Sequence, residues 1–207
     1  MAIGTSLPSP NVVLVDPDVI DGPQDDARST ALIAEIKKTV PDKPIKFVVN
    51  THHHFDHAGG LGAFIADGAT IIAHESNKAF LEQSLAAPRI VQPDRLAQSG
   101  KKATVEGIAD KRVLSDGTRT IELYLIHGTI HDDGIIMAYL PKEKILVEAD
   151  VYIPAAPNAA LRTQPNPNSV ALYDNIERLK LTVDQILPMH ERKVPMAELQ
   201  KSIGKAS

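Results

Sequence analysis

The chain has 207 residues, which fits one large domain and excludes two complete enzymes, because a single core stops growing near about 250–300 residues. We therefore expect one domain over residues 1–207. Hydrophobic residues make up 43% of the chain without any run of about 18 apolar residues, so a membrane span is excluded. A net charge of −4 offers no general attraction to nucleic acid or to anionic lipid. The absence of cysteine excludes disulfides, thiolate metal ligands and a cysteine nucleophile.

Apolar patterning predicts alternating strands and helices in the first half of the chain. Either Ser29 or Thr30 can cap the first predicted helix, which should end near Val40. The predicted strands are 12–15, 45–49 and 70–73, and the further predicted helices are 61–66 and 76–85. Residues 86–102 contain two prolines and a glycine and are predicted to be irregular.

The second half begins with a predicted strand over 120–126, in which alternate residues are apolar. A hairpin of strands 135–140 and 144–147 should follow, and the proline-rich residues 152–169 should form a long connection, which in compact domains is usually functional or disordered. The last predicted elements are a helix over 170–180, a strand over 185–187 and a helix over 195–203.

Four of the eight histidines fall within six residues, in the segment His52-His53-His54-Phe55-Asp56-His57. In an extended chain the side chains of residues 52, 54 and 56 point the same way, and a following turn can bring His57 to the same pocket. Imidazole and carboxylate suit borderline cations, and open positions left for water are typical of a catalytic metal. A single histidine is more often structural, so His53, His74 and His127 are not included among the ligands.

The segment from Thr51 to Gly60, with its His-x-His-x-Asp-His pattern, resembles the signature of the metallo-β-lactamase superfamily, and the likeness extends over about residues 12–203. The resemblance implies an α/β fold, the αββα sandwich of mixed sheets with helices on the outer faces. It also implies two metal ions, taken as Zn²⁺ with Fe or Mn as alternatives. One ion is held by His52, His54 and His131, the other by Asp56, His57 and His190, with Asp150 between them.

His131 is preferred to His127 because it stands eight residues before Tyr139, which is the family's spacing. Two departures from the family are visible. Glu191 stands where the family usually has glycine, so the loop after His190 should differ in shape. Only 11 residues precede Val12, where the family has several strands, so we expect a shortened N-terminal sheet or a second subunit that covers its edge, as in a homodimer.

The implied activity is hydrolysis, in which a hydroxide bridging two metals attacks the carbonyl of a small β-lactam, lactone, ester or thioester. Asp56 is the candidate catalytic residue, which orients the water or carries its proton. An iron-dependent redox member of the same fold, acting on oxygen or sulfur compounds, is the alternative. A nuclease is disfavoured, since the chain leaves no room for a nucleic-acid-clamping domain, and a binding protein is disfavoured because all seven ligand positions hold competent residues.

Two loops, 86–102 and 151–169, are expected to shape the pocket. In the second loop Arg162 could grip a substrate carboxylate or be a solvated surface residue, and Tyr152 and Asn158 are further candidates. The N-terminus lacks the basic region and apolar core of a secretory signal, so we expect a cytoplasmic protein, or a periplasmic or secreted one if a signal has been removed.

Overall fold

The computed structural model describes the backbone at residues 2–3, 12–15, 18–156 and 164–205, and the side chains from residue 18 onward within those ranges. The candidate residues Asn158 and Arg162 lie outside the described residues. The chain divides into two compact units, Met1–Ala109 and Asp110–Ser207. One domain over residues 1–207 stays a prediction. In the described part of the chain no helix is both long and apolar enough to cross a membrane.

The first unit contains a six-stranded sheet with the strand order β1-β2-β3-β4-β5-β6. Its elements in chain order are β1 (Ala2–Ile3), β2 (Val12–Val15), β3 (Asp18–Ile20), α1 (Asp26–Thr39), β4 (Phe47–Val49), α2 (Phe55–Ala58), α3 (Leu61–Asp67), β5 (Thr70–His74), α4 (Glu75–Ala86), α5 (Arg95–Ser99) and β6 (Val105–Ile108). Strands β3 to β6 run parallel, as the alternation of strands and helices requires, while β1 and β2 pair antiparallel. Parallel strands end at one edge of the sheet, and the histidine segment follows β4 there.

The start of α1 differs from the prediction of a cap at Ser29 or Thr30. Asp25 is the N-cap, and its side chain accepts a hydrogen bond from the backbone N–H of Arg28. Ser29 is instead buried within the helix, where its hydroxyl donates to the carbonyl of Pro23. The buried face of α1, which includes Leu32, joins the core formed by α3 and the sheet.

Two glycines after the histidine segment are required by close packing. The backbone N–H of Gly60 donates to the carbonyl of Gly22, and a Cβ on Gly60 would lie 2.6 Å from the carbonyl oxygen of Pro23. A Cβ on Gly59 would meet the carbonyl oxygen of Gln24. The small residues therefore let the histidine segment lie directly against residues 22–25.

We expect Gly60→Ala to destabilise the protein by about 1–3 kcal/mol, because the added methyl group must displace backbone rather than a flexible side chain. Chemical denaturation measures this change. The control is Gly62→Ala, where the new Cβ lies 3.3 Å from the Leu96 side chain and alanine favours the helix. Equal stability of the two variants would contradict the packing explanation.

The second unit contains a six-stranded sheet with the order β12-β11-β10-β9-β8-β7. Its elements are β7 (Lys111–Ser115), β8 (Thr120–Leu125), β9 (Ile136–Leu140), β10 (Ile145–Glu148), α6 (Pro167–Arg178), β11 (Gln185–Pro188), β12 (Val194–Pro195) and α7 (Met196–Ser202). The predicted hairpin is present, with Ile145 opposite Leu140 in antiparallel register. Strand β11 runs parallel to β10, so the chain leaves both strands at the same edge.

Three features of the fold depart from the sequence prediction. The region 86–102 contains α5, which is capped by the side chain of Asp94 and buries Leu96. Helix α6 begins at Pro167 rather than at residue 170, because Asn166 caps it and proline suits the first helical turn. The sequence analysis did not predict the short strands β1, β3, β6, β7 and β12, because two to five residues carry too little periodicity.

Candidate metal centre

In the first unit, the segment between β4 and α2 brings its imidazoles together. The ring centroid of His52 lies 4.5 Å from that of His54 and 4.5 Å from that of His57. His52 and His54 offer ligand atoms within 4.8 Å of each other, and so do Asp56 and His57. The alternation of side chains before α2, followed by its first turn, therefore places predicted ligands side by side.

Asp21 is the buried carboxylate that supports this segment. One of its oxygens lies 2.7 Å from Nδ1 of His57 and accepts the hydroxyl of Thr51 at 2.9 Å, while the other accepts the backbone N–H of Thr51 at 2.7 Å. A carboxylate on Nδ1 fixes the tautomer and leaves Nε2 as the metal-binding nitrogen. Sequence reasoning missed Asp21, although an aspartate between the end of an apolar strand and a Gly-Pro turn was a usable signal.

The carboxylate of Asp56 is more accessible than that of Asp21, which is fully buried. Its side chain is 25% exposed, and one of its oxygens lies 3.5 Å from Nε2 of His57. The adjacent side chain of Phe55 is 73% exposed. Asp56 can therefore meet both a metal ion and water, next to an apolar surface.

The two histidines of the first unit that were left out of the ligand set have other partners. Nδ1 of His53 lies 3.1 Å from the side-chain oxygen of Asn77, and its ring packs on Phe80 at 5.0 Å. His74 caps α4, since its Nδ1 accepts the backbone N–H of Ser76. His53 thus packs against α4, and His74 anchors the start of α4.

In the second unit, Asp150 lies between two imidazoles. One carboxylate oxygen is 3.1 Å from Nε2 of His131, and the other is 2.9 Å from Nε2 of His190. Asp150 follows β10 and His190 follows β11, and these strands are parallel neighbours. The three predicted ligands of this unit therefore lie together, with one carboxylate oxygen turned towards each histidine.

The loop that carries His131 is attached to α6 by two asparagines. The side chain of Asn175 accepts the backbone N–H of His127 and donates to the carbonyl of the same residue. The side chain of Asn168 accepts the backbone N–H of Ile130. Nε2 of His127 lies 3.3 Å from a carboxylate oxygen of Asp110, so His127 pairs with a carboxylate other than Asp150.

The backbone near these ligands adopts positive φ angles at two non-glycine residues. Glu191 has φ of 72°, which is the conformation that glycine adopts most easily. Glu191 therefore adopts the left-handed backbone that glycine would favour at this position, at a cost in strain. Asp150 has φ of 63°.

Tyr152, a candidate for substrate contact, belongs to the core instead. It is buried with Leu172, Ile186 and their neighbours. Burial, with a smaller contribution from the charge of Glu198, raises the pKa of its phenol to about 12. Tyr152 therefore stays neutral and packs under the ligand-bearing turn.

The ligand atoms of both units are imidazole nitrogens and carboxylate oxygens, the donor set that suits zinc and other borderline cations. The carboxylate of Asp21 on Nδ1 of His57 is the kind of supporting partner that metal-binding histidines usually have, and the two asparagines of α6 fix the loop that carries His131. The residues present therefore fit a metal.

The family model of the metallo-β-lactamase superfamily matches residues 11–152, so the chain belongs to this superfamily. The linear primary-alkylsulfatase of Pseudomonas sp. (strain ATCC 19151) is 25% identical over 212 residues, which cover 85% of this chain and 39% of the alkylsulfatase. The chain thus spans well under half the length of that relative.

Solved structures give the same fold. The metallo-β-lactamase from Pontibacter korlensis matches with a TM-score of 0.68 and 18% identity, covering 100% of this chain and 92% of that one. FIM-1 from Pseudomonas aeruginosa, in its mono-zinc form, matches with a TM-score of 0.61 and 18% identity, covering 99% and 81%. The predicted α/β fold of the metallo-β-lactamase type, with mixed sheets and helices, is confirmed.

Proposed function

We propose that this protein is a metallohydrolase that cleaves a small-molecule carbonyl substrate, such as a β-lactam, lactone, ester or thioester. The observation that carries the proposal is the position of Asp150, whose two carboxylate oxygens each face a different histidine. A carboxylate used in this way suits a pair of metal ions better than a single one.

The proposed ligand set is the one that the family resemblance implies. One Zn²⁺ would be held by His52, His54 and His131 and the second by Asp56, His57 and His190, with Asp150 available to both. The neighbours within each unit support this assignment. In the first unit His52 lies beside His54 and Asp56 beside His57, and in the second unit Asp150 lies beside His131 and His190. When bound, such cations lower the pKa of water towards about 7 and polarise the oxygen under attack.

The side chains of this chain supply the remaining steps. Asp56 orients the attacking water and accepts its proton at a carboxylate oxygen, because its side chain is accessible and is held beside His57. The hydrogen bond from Asp21 keeps the ring of His57 fixed during this step. Phe55 offers an exposed apolar surface to the non-reacting part of the substrate.

A sulfate ester is the second candidate substrate. The observation that favours it is the identity of 25% with the alkylsulfatase, which extends over 85% of this chain. The same ligand set could polarise a sulfuryl oxygen in place of a carbonyl oxygen. Iron-dependent redox chemistry is the remaining alternative, since nitrogen and oxygen ligands also suit iron.

A substrate panel tests the proposal. Purified protein is analysed for metal and then assayed on a chromogenic β-lactam, a lactone, an aryl ester, an aryl sulfate and a phosphodiester, with and without EDTA. We expect hydrolysis of at least one carbonyl substrate, its loss in EDTA and its recovery with added Zn²⁺. Turnover of the aryl sulfate alone would favour the sulfatase, and stoichiometric iron without hydrolysis would favour the redox alternative.

A further inference from the structure

The turn that carries Asp150 is unusual. The backbone N–H of Val151 donates to the carbonyl of Ala149 at 2.9 Å, which closes a three-residue turn around Asp150, and φ of Asp150 is 63°. A three-residue turn with positive φ at its centre is the rare and strained form of the γ-turn. Such a backbone persists only where the surrounding structure holds it.

The side chain of Glu148 stabilises this turn. Its side chain is fully buried, and one carboxylate oxygen accepts the backbone N–H groups of Val151 and Tyr152, both at 3.1 Å. Both donors follow Asp150 in the chain. These two hydrogen bonds therefore hold the backbone that follows Asp150 against the end of β10 and keep the turn closed.

The main chain of Glu148 makes a second connection, to the other strand that carries a ligand. Its carbonyl accepts the backbone N–H of Met189 at 2.8 Å, and Met189 immediately precedes His190. On the far side of the turn, the hydroxyl of Ser169 donates to the carbonyl of Val151 at 3.1 Å. The one residue Glu148 thus contacts the backbone next to two proposed ligands.

The carboxylate of Glu148 also departs from the apolar pattern of strand β10. The preceding residues of β10, Leu146 and Val147, are buried apolar side chains. Burial of a carboxylate is costly unless its partners compensate, so packing alone would favour another apolar residue here. The contacts of Glu148 with the turn give a reason for the carboxylate.

We propose that Glu148 is a positioning residue, which holds the strained turn so that the carboxylate of Asp150 stays between His131 and His190. This inference rests on the proposed function, in which Asp150 binds metal. Glu148 does not itself touch substrate. It acts on the metal through the backbone of the turn.

The test compares Glu148→Met with Glu148→Gln in the full chain. Zinc affinity is measured by competition with a chromogenic chelator, and the unfolding temperature is measured on the metal-free protein. We expect Glu148→Met to weaken zinc binding by about 10–100-fold, as loss of a supporting group does elsewhere. Glutamine keeps an oxygen that can accept both N–H groups, so Glu148→Gln should recover most of the affinity.

The control is Ile186→Val, a change in the buried core of β11 that removes one methylene group from a residue outside the proposed site. It should lower the unfolding temperature and leave zinc affinity unchanged. If Glu148→Met does not fold, Ser169→Ala replaces it, because that change loosens the same turn from the other side and should also weaken zinc binding.

Two results would overturn the inference. One is a Glu148→Met protein that binds zinc as tightly as the wild type. The other is a loss of zinc affinity in Glu148→Met that is no greater than the loss in the core control, Ile186→Val, when the two variants have the same unfolding temperature. Failure of the proposed metal site is distinguishable from both, because the wild-type protein itself would then bind no zinc. Failure of the proposed substrate class would show in the substrate panel and leave the zinc affinities as expected.

Discussion

Asp56→Asn is expected to lower kcat by about 10²–10⁴-fold, the usual effect of removing a general acid or base. The amide keeps the shape of the side chain but cannot accept a proton and is a weaker metal ligand. Steady-state kinetics on the best substrate of the panel, with metal content measured in parallel, provide the test. If the variant keeps its zinc, the loss should fall mainly on kcat rather than on KM.

The matched control is Asp67→Asn, since Asp67 is another aspartate of the first unit and pairs with Lys37 at 2.6 Å on the surface of the protein. It should leave kcat unchanged. Turnover of Asp56→Asn at the wild-type rate would exclude the role of Asp56 in handling the proton.

Asp21→Ala should destabilise the metal-free protein by about 2–5 kcal/mol, because removing this buried carboxylate leaves several buried donors unsatisfied, each at a cost of about 1–3 kcal/mol. The change leaves the backbone N–H of Thr51 and Nδ1 of His57 without their buried acceptor. The ring of His57 would also lose its fixed orientation, so zinc affinity should fall by about 10–100-fold. Denaturant unfolding and chelator competition measure the two effects.

Glu35→Ala is the control for the loss of a carboxylate on the surface. Glu35 pairs with Lys38 at 3.1 Å, and both side chains are more than half exposed, so this change should cost less than about 1 kcal/mol. Similar stability of the two variants would show that the contacts of Asp21 contribute little.

The local part of the candidate site could be predicted from the sequence, because it depends on alternation within a few residues. The segment from His52 to His57 needs only a strand end and one turn to bring its side chains together, and the structure has β4 and α2 at those places. The choice of His131 over His127 came from the family's spacing. In the structure His131 lies beside Asp150, whereas His127 lies beside Asp110.

The start of α1 shows the limit of local signals. Asp25, Ser29 and Thr30 are all acceptable cap residues, and the sequence does not rank them. Asp25 is the cap because burial of Ser29 against Pro23 extends the helix towards the N-terminus. Packing against a neighbouring segment therefore decided a boundary that propensity left open.

By itself the sequence determined the class of the protein, through its resemblance to a known family. It also determined the donor chemistry of the candidate metal ligands and the order of the main strands and helices, since these follow from residue type and short-range periodicity. Only the tertiary structure revealed the groups that support the ligands. Asp21 reaches His57 across 36 positions of the chain, and Glu148 acts through a buried turn. Their roles depend on which backbone groups lie beside a buried carboxylate, and the folding of distant segments onto one another decides that.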